Sequence, residues 1–166
     1  MFKNILNRIL HRLAYSLPGG KRVRPLLHKF RGVKIGKNVW ISQFVHIDEL
    51  YPEAVSIGDN STIGMRTSIF THLYFGPKQE NKYGEVIIGK NVFVGPHCVI
   101  LPNVKIGEGS VIKAGTVVTR NIPPQTFVGL PAPEALAHVT VPLTPEHTYE
   151  EFVKGLRPLK RQKSKK

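Results

Sequence analysis

One histidine lies where a regular sequence pattern breaks, in a position suited to acid–base chemistry. His72 lies near the start of FTHLYFGPKQENKYGEV, a stretch in which the pattern stops. An imidazole, with a pKa of about 6.5, can take a proton from a nucleophile and return it to a leaving group. A carboxylate could orient the ring through its other nitrogen. Asp48 is the first candidate, followed by Glu49 at the same earlier break, and Glu85 at the far end of the stretch is a third.

The pattern itself is a repeat of six residues. Neither an α-helix, with a period of about 3.6 residues, nor an isolated strand, with a period of about two, explains such spacing. A second column of the repeat is Asn or Gly, which enter the left-handed backbone region easily and so suit a recurring turn. The aliphatic column is Ile35, Ile41, Ile47, Ile57, Ile63, Ile69, Ile88, Val94, Ile100, Ile106, Ile112 and Val118. The turn column is Asn38, Asn60, Asn91, Asn103, Gly109, Gly115 and Asn121.

The repeat predicts an all-β solenoid. Each hexad supplies one short strand and one corner, and three hexads complete a triangular coil. Successive coils stack at the strand spacing of about 4.8 Å, and their aliphatic side chains form ladders that point inward. A further column of small or β-branched residues also points inward, and it contains Cys98, the single cysteine of the chain.

The hexads IGKNVF VGPHCV ILPNVK IGEGSV IKAGTV VTRN resemble the hexapeptide-repeat acyltransferases. The resemblance covers roughly residues 33 to 131 and ends in VTRNIPPQTFVGLPA, which is similar to the family's usual exit from the coil. It lies nearest to acetyltransferases that modify sugars and cell-surface glycans. The resemblance implies a left-handed parallel β-helix, a homotrimer, and active sites between neighbouring coils. It also implies an acyl-CoA, such as acetyl-CoA, as co-substrate, with no metal.

The same resemblance assigns roles to individual residues. Thr71-His72 matches the position of the family's catalytic base, which activates an acceptor hydroxyl. In the donor groove, the Ala114 backbone would meet the pantetheine arm, and Thr119 and Arg120 would lie near the adenine and its phosphates, with Lys113 beside them.

Two departures from the family pattern concern the cofactor and the acceptor. Pro96 stands where relatives often donate a backbone N–H to the cofactor, and proline has no such group, so we expect the thioester contact to come from Gly95 or from elsewhere. Phe44 and His46 stand where sugar-modifying relatives carry polar residues that bind the acceptor, which leaves the acceptor's identity open.

The two ends of the chain differ from the coil in composition. Residues 1–30 are an amphipathic, basic helical segment with an apolar stripe, and we expect it either to pack on the coil or to contact the inner face of a membrane. Residues 31–131 form the predicted β-helix, with a loop at 70–87. Residues 132–166 form a C-terminal extension whose basic end, KGLRPLKRQKSKK, is predicted to be disordered. The stripe is Phe2, Ile5, Leu6, Ile9, Leu10, Leu13 and Leu17.

Composition narrows the function classes further. A net charge of +13 indicates an anionic partner, but no aromatic and basic platform accompanies the tail, so nucleic-acid binding is not expected. The expected compartment is the cytoplasm, because one cysteine forms no intrachain disulfide and the N-terminus has no clean signal-peptide core. Three other functions stay open: N-acylation of an amino sugar, which can be nucleotide-linked, a zinc hydratase, which requires three histidines, and a non-catalytic trimeric scaffold.

Overall fold

The structure is a computed structural model of the chain, and it describes residues 2–72, 83–131 and 135–159. Side chains are described from residue 5 onward, so the Phe2 side chain of the predicted apolar stripe lies outside that part. The centre of the predicted loop 70–87 and the end of the basic tail also lie outside the described residues.

Short parallel strands joined by turns recur along most of the first compact unit, Met1–Leu130. Two helices, α1 (Phe2–Ser16) and α2 (Val23–Phe30), precede the strands. A 3₁₀ turn covers Pro52–Ala54. The strands are β1 Lys34–Ile35, β2 Trp40–Ile41, β3 His46–Ile47, β4 Val55–Ile57, β5 Thr62–Ile63, β6 Ser68–Ile69, β7 Val86–Ile88, β8 Phe93–Val94, β9 Val99–Ile100, β10 Val104–Ile106, β11 Val111–Ile112, β12 Val117–Val118 and β13 Phe127–Val128.

Up to β12, every third strand belongs to the same sheet, as expected for a three-sided coil, and β13 follows β11 because the side between them holds only an isolated bridge from Ile122 to Ile106. The orders are β1-β4-β7-β10, β2-β5-β8-β11-β13 and β3-β6-β9-β12, and all neighbours in these three sheets are parallel. In the third sheet, for example, Ile47 pairs with Ile69 and Ile69 pairs with Ile100. The register confirms the predicted ladders, because residues of the aliphatic column pair with one another from coil to coil.

The two inward columns form one continuous core. Ile41, Ile47, Ile63, Ile69 and Ile100 are completely buried. The small column is buried with them, and its hydroxyl groups bond to nearby backbone: Ser61 Oγ donates to the Gly89 carbonyl and Thr67 Oγ1 to the Gly95 carbonyl. The full small column is Val39, Val45, Ser61, Thr67, Val92, Cys98, Val104, Ser110 and Thr116.

Left-handed backbone marks most corners, although the residue types are broader than predicted. The Asn and Gly positions from Asn38 to Gly115 have positive φ, but Asn121 does not, so that prediction is wrong. Instead, the Asn121 side chain accepts a hydrogen bond from the Lys105 N–H, and Gln125 takes the left-handed turn. Four corners use residues that pattern reasoning did not predict for this conformation: Phe44, Arg66, His97 and Gln125.

The open end of the first coil is covered by the helical segment. The N–H groups of Ile41 and Phe44 donate to the carbonyls of Gly20 and Tyr15, at 2.9 Å each. Two buried arginines of the segment bond to the coil's carbonyls: Arg24 Nε donates to Ile41 O at 2.7 Å, and Arg31 Nη2 donates to Ile47 O at 2.9 Å. The segment therefore packs on the coil, which is one of the two placements we expected for it.

The helical segment also keeps an outward face. The predicted stripe lies on α1 apart from Leu17, and its residues Ile5, Ile9 and Leu13 stay exposed, while His11 and Ala14 on the other side of α1 are buried. Within the described part of the chain, no helix is both long and apolar enough to span a membrane.

The second unit, Pro131–Lys166, contains an antiparallel pair of strands and one helix. Its elements are β14 (Ala137–Val139), α3 (Tyr149–Lys154) and β15 (Leu156–Pro158), and a capping box at Thr148 begins the helix. The prediction of a disordered end is wrong up to residue 159, because His138 pairs with Arg157 in the strand ladder. The remaining tail residues lie outside the described part.

Candidate active site

The stacking of coils brings His72 and Asp48 to the same corner. Asp48 directly follows β3, and His72 lies three residues after the end of β6. Since β3 and β6 are neighbours in one sheet, the segments that leave them lie one above the other, and the Asp48 N–H donates to Ile69 O at 3.0 Å. Two breaks that are far apart in the sequence are therefore adjacent in the fold.

The two side chains form a short hydrogen bond. His72 Nδ1 lies 2.6 Å from Asp48 Oδ2. A carboxylate only accepts hydrogen bonds, so this contact places the proton of the neutral imidazole on Nδ1 and its basic lone pair on Nε2. The His72 side chain keeps 13% exposure, whereas the Asp48 side chain has none. The contact therefore fixes the tautomer and the orientation of the imidazole.

Backbone donors hold Asp48 in its ionised form. The Thr71 N–H donates to Oδ2 at 2.9 Å, and the Leu50 and Tyr51 N–H groups donate to Oδ1 at 2.9 and 3.2 Å. Burial works to raise the pKa of Asp48, but these hydrogen bonds outweigh it and lower the pKa below its ordinary value. The carboxylate is therefore charged and fixed before any substrate arrives.

Tyrosine rings border the histidine on its outer side. Tyr51 meets His72 edge-on, with ring centroids 5.8 Å apart, and stacks on Tyr83 at 4.6 Å. The Thr71 backbone connects the two sides of the loop root, because its carbonyl accepts the Gly84 N–H at 2.6 Å. These contacts hold the imidazole ring in place at the point where the chain leaves the coil.

The other two candidate carboxylates take different positions. Glu49 turns toward α1, where its Oε1 lies 3.5 Å from His11 Nε2, and its side chain is 43% exposed. Glu85 is exposed beside β7. Of the three candidates, Asp48 is therefore the one that the structure places against His72.

Arg31 contacts the backbone of Asp48, a role that was not predicted from the sequence. Its Nη2 donates to Asp48 O at 2.6 Å, its Nη1 lies 2.9 Å from His28 Nδ1, and its Nε donates to Asn7 Oδ1 at 2.8 Å. Burial lowers the pKa of Arg31 to about 10, with Glu49 and Asp48 opposing that shift, so the guanidinium stays charged. The sequence signal was weak, because a basic residue in an amphipathic segment usually indicates a solvated charge.

A cavity of about 570 Å³ lies between α1 and the third sheet, beside this corner. Its lining combines rings and hydrogen-bonding groups, and Phe70, two residues before His72, forms part of the wall. A larger cavity of about 630 Å³ lies between the α1–α2 turn and the second sheet, so it belongs to another side of the prism. The lining of the smaller cavity is His11, Arg12, Tyr15, Ser16, His46, Glu49, Ser68 and Phe70.

A group of potential metal ligands also lines that cavity. The ligand atoms of His11, His46 and Glu49 lie within 4.8 Å of one another. Within this group, His11 Nε2 lies 3.5 Å from Glu49 Oε1. Neither His72 nor His97 belongs to such a group in the described residues, so the three histidines of a zinc hydratase are not assembled there.

The predicted donor residues flank one face of the coil. Lys113 and Ala114 lie on the corner before β12, Thr119 and Arg120 lie on the corner after it, and all four are exposed. They therefore border the outer face of the third sheet from opposite edges. This is the sheet whose coils end at Asp48 and at the root of the His72 loop.

Gly95 has a structural role that differs from the predicted one. Its N–H donates to the Ile112 carbonyl at 2.8 Å, and this bond occupies the group we had assigned to the thioester. A Cβ on Gly95 would lie 2.6 Å from the Ala114 nitrogen, so only glycine lets the two coils approach here. The assignment of Gly95 as a thioester donor is not supported by this hydrogen bond.

Sequence comparison places these features among known proteins. A profile of the bacterial transferase hexapeptide (six repeats) matches residues 85–120. YvoF, a candidate acetyltransferase of Bacillus subtilis strain 168, is 37% identical over 127 residues, which are 76% of this chain and 73% of YvoF. The galactoside O-acetyltransferase of Escherichia coli K12 is 36% identical over 105 residues, which are 60% of this chain and 51% of that enzyme. The chain thus spans about half the length of the latter relative.

Solved structures show the same architecture. A galactoside acetyltransferase in complex with coenzyme A superposes with a TM-score of 0.58 at 27% identity, covering 77% of this chain and 76% of that one. A Vibrio cholerae hexapeptide-repeat acetyltransferase, VCA0836, solved with acetyl coenzyme A, gives a TM-score of 0.61 at 22% identity over 77% and 82% of the chains. The fold is therefore the predicted left-handed parallel β-helix, and the chain belongs to the hexapeptide-repeat acyltransferase family.

Proposed function

We propose that the protein transfers an acetyl group from acetyl-CoA to a hydroxyl of a sugar or cell-surface glycan precursor, with His72 as general base. The observation that carries the proposal is the 2.6 Å contact between His72 Nδ1 and Asp48 Oδ2 at the root of the loop. A histidine held in this way by a buried carboxylate is arranged for proton transfer, which a scaffold would not need.

The reaction follows from the assigned tautomer. Nε2 of His72 takes the proton of the acceptor hydroxyl as its oxygen attacks the thioester carbonyl carbon. The tetrahedral intermediate collapses, the carbon–sulfur bond breaks, and the imidazolium returns the proton to the thiolate of coenzyme A. The products are an acetyl ester and free coenzyme A. Asp48 stays ionised throughout and stabilises the imidazolium.

Relatives support the choice of substrates. Coenzyme A or acetyl coenzyme A occupies two neighbours of the same fold, and one relative is a galactoside O-acetyltransferase. The cavity beside the His72 loop suits a sugar in size and chemistry. Tyr15 and Phe70 offer faces for a pyranose ring, and Ser68 and His46 offer hydrogen-bonding groups for hydroxyls.

The donor would lie along the third sheet. Ala114 and Lys113 at one edge and Thr119 and Arg120 at the other are exposed and border one face. Arg120 and Lys113 supply the positive charge that coenzyme A phosphates require. We propose a homotrimer in which the neighbouring subunit closes this face into a groove.

The experiment is thiol release from acetyl-CoA with a panel of acceptors that includes galactosides, other sugars and amino sugars. The His72→Ala variant is expected to lose about 10²- to 10⁴-fold in kcat, because the hydroxyl is no longer deprotonated as it attacks. His147→Ala, an exposed histidine of the second unit, serves as the matched control.

The outcomes separate the candidate functions. Turnover with hydroxyl acceptors supports O-acetylation, whereas turnover restricted to amino sugars would show N-acetylation instead. Unchanged turnover in a folded His72→Ala protein would remove His72 as the base. Absence of turnover with every acceptor, together with no binding of coenzyme A, would favour the scaffold.

A further inference from the structure

We propose that the outward face of the helical segment docks on the surface of an anionic phospholipid bilayer. This helical face consists of the exposed apolar and basic side chains of α1, α2 and the turn between them. Its members are Ile5, Leu6, Arg8, Ile9, Arg12, Leu13, Lys21, Arg22, Leu26, Lys29 and Phe30. The inference is independent of which acceptor the enzyme uses.

The apolar part of α1 points away from the coil. Ile5, Ile9 and Leu13 follow one another at intervals of four residues, and their exposures are 52, 50 and 39%. His11 and Ala14, on the opposite side of the helix, are 6% and 1% exposed. Because the inner side alone packs on the coil, the isoleucine stripe has no role in the core of the protomer.

The second helix extends this surface. Phe30 and Leu26 on α2 are 70% and 52% exposed. A cavity of about 260 Å³ joins the two helices, and its lining includes Leu6, Leu10 and Phe30. The apolar side chains of both helices therefore belong to one surface, and exposed apolar surface of this kind indicates an interaction site.

Basic residues surround the apolar ones, and the acids that share cavities with them, Glu49 and Glu53, come from the coil. The sequence from residue 1 to residue 47 contains no Asp or Glu. Arg8, Arg12, Lys21, Arg22 and Lys29 are all exposed. Arg24 and Arg31 do not contribute, because both are buried and bonded to backbone carbonyls of the protomer.

This charge distribution favours lipid over a second copy of the chain. Another copy would bring the same cations to the contact, and like charges repel when they are desolvated together. An anionic leaflet instead attracts each exposed Lys or Arg and accepts apolar side chains at the boundary between headgroups and acyl chains. The helices would lie in the plane of the bilayer surface, with their apolar side chains at that boundary.

The test is co-sedimentation of the full chain with vesicles of phosphatidylcholine mixed with phosphatidylglycerol, compared with pure phosphatidylcholine. We expect binding to the anionic vesicles that weakens as salt is added. The Arg8→Gln and Lys29→Gln changes should each reduce the partition constant by about fivefold. The combined Ile5→Ser, Ile9→Ser and Phe30→Ser protein should lose roughly tenfold or more.

Matched controls separate this face from the rest of the surface. Lys105→Gln and Phe127→Ser change an exposed cation and an exposed ring on the coil, and they should leave binding unchanged. Removal of residues 160–166 should also leave most of the binding. No binding to anionic vesicles, or binding that depends on the tail alone, would overturn the proposal.

The oligomeric state tests whether a second copy of the chain, rather than lipid, covers the helical face. Light scattering of the triple serine protein, without vesicles, should give the mass of the wild type. A lower mass would show that the helical face is buried between subunits and would also overturn the proposal.

Discussion

Asp48 determines which nitrogen of His72 carries the proton. Four donors converge on its carboxylate: the N–H groups of Thr71, Leu50 and Tyr51, and the His72 ring. The sequence could identify His72 and the acids near it, because they interrupt a regular repeat. It could not rank Asp48 over Glu49, because the direction of neighbouring side chains in an irregular turn depends on contacts from other coils.

The Asp48→Asn variant should lose most of its activity while keeping its fold. An amide has one accepting oxygen, so either orientation turns its NH₂ group toward donors, and the imidazole loses its fixed tautomer. We expect kcat to fall by about 10²- to 10⁴-fold, with a smaller effect on KM for acetyl-CoA. Steady-state kinetics measure this. The control is Asp59→Asn, whose carboxylate accepts from the Lys37 N–H at a distant corner. Equal losses in both variants would contradict a specific role for Asp48.

Helix α2 is the element that connects the cap of the coil to the reactive corner. Two arginines from this helix and its C-cap are buried and perform similar structural tasks, yet only Arg31 reaches Asp48. The hexad period predicted the coils and their register, because the same column faces inward on every side. It did not predict α2 as a separate helix or the strand pairing of residues 137–158, because neither follows the period. The burial of these arginines cannot be predicted from a residue pattern, since their partners are backbone carbonyls, which every sequence contains.

Arg31→Met should lower both stability and turnover, whereas Arg24→Met should lower stability alone. Each change leaves carbonyls without their charged donor, at a cost of about 2 to 3 kcal/mol in the free energy of unfolding. Only the loss of Arg31 also releases Asp48, so kcat should fall for this variant at temperatures where both proteins are folded. Urea unfolding and kinetics on the two proteins measure this. If kcat fell equally in both, Arg31 would have no specific positioning role.

At the scale of the whole molecule, stability rests on stacked ladders and on histidines that remain neutral. Burial, helped by Arg31, lowers the pKa of His28 to about 3 and that of His11 to about 4. Above pH 6.5 the folded and unfolded chains hold the same number of protons at these sites. Below pH 6.5 these histidines bind protons in the unfolded chain but stay neutral in the folded chain, so the free energy of unfolding falls as the pH drops. The sequence shows the histidines but not their burial, which depends on how α1 and α2 pack.

Urea unfolding between pH 6.5 and about 4.5, above the range where most carboxylates titrate, should reveal this loss. Each of the two histidines should lower the free energy of unfolding by on the order of 1 kcal/mol per pH unit. His28→Gln cannot take up a proton, so its slope should be smaller than that of the wild type by on the order of 1 kcal/mol per pH unit. His147→Gln removes an exposed histidine and should keep the full slope. A His28→Gln slope equal to the wild type would show that His28 does not contribute.

The covered end of the first coil has a consequence for assembly. An uncovered sheet end is a template on which strands of another copy can add, and repeated addition yields fibres. Here Gly20 and Tyr15 already accept the N–H groups of Ile41 and Phe44, while Arg24 and Arg31 occupy carbonyls of the same coil. An incoming strand would find these groups taken. The N-terminal helices thus prevent strands of another copy from adding to the first coil at this end of the solenoid.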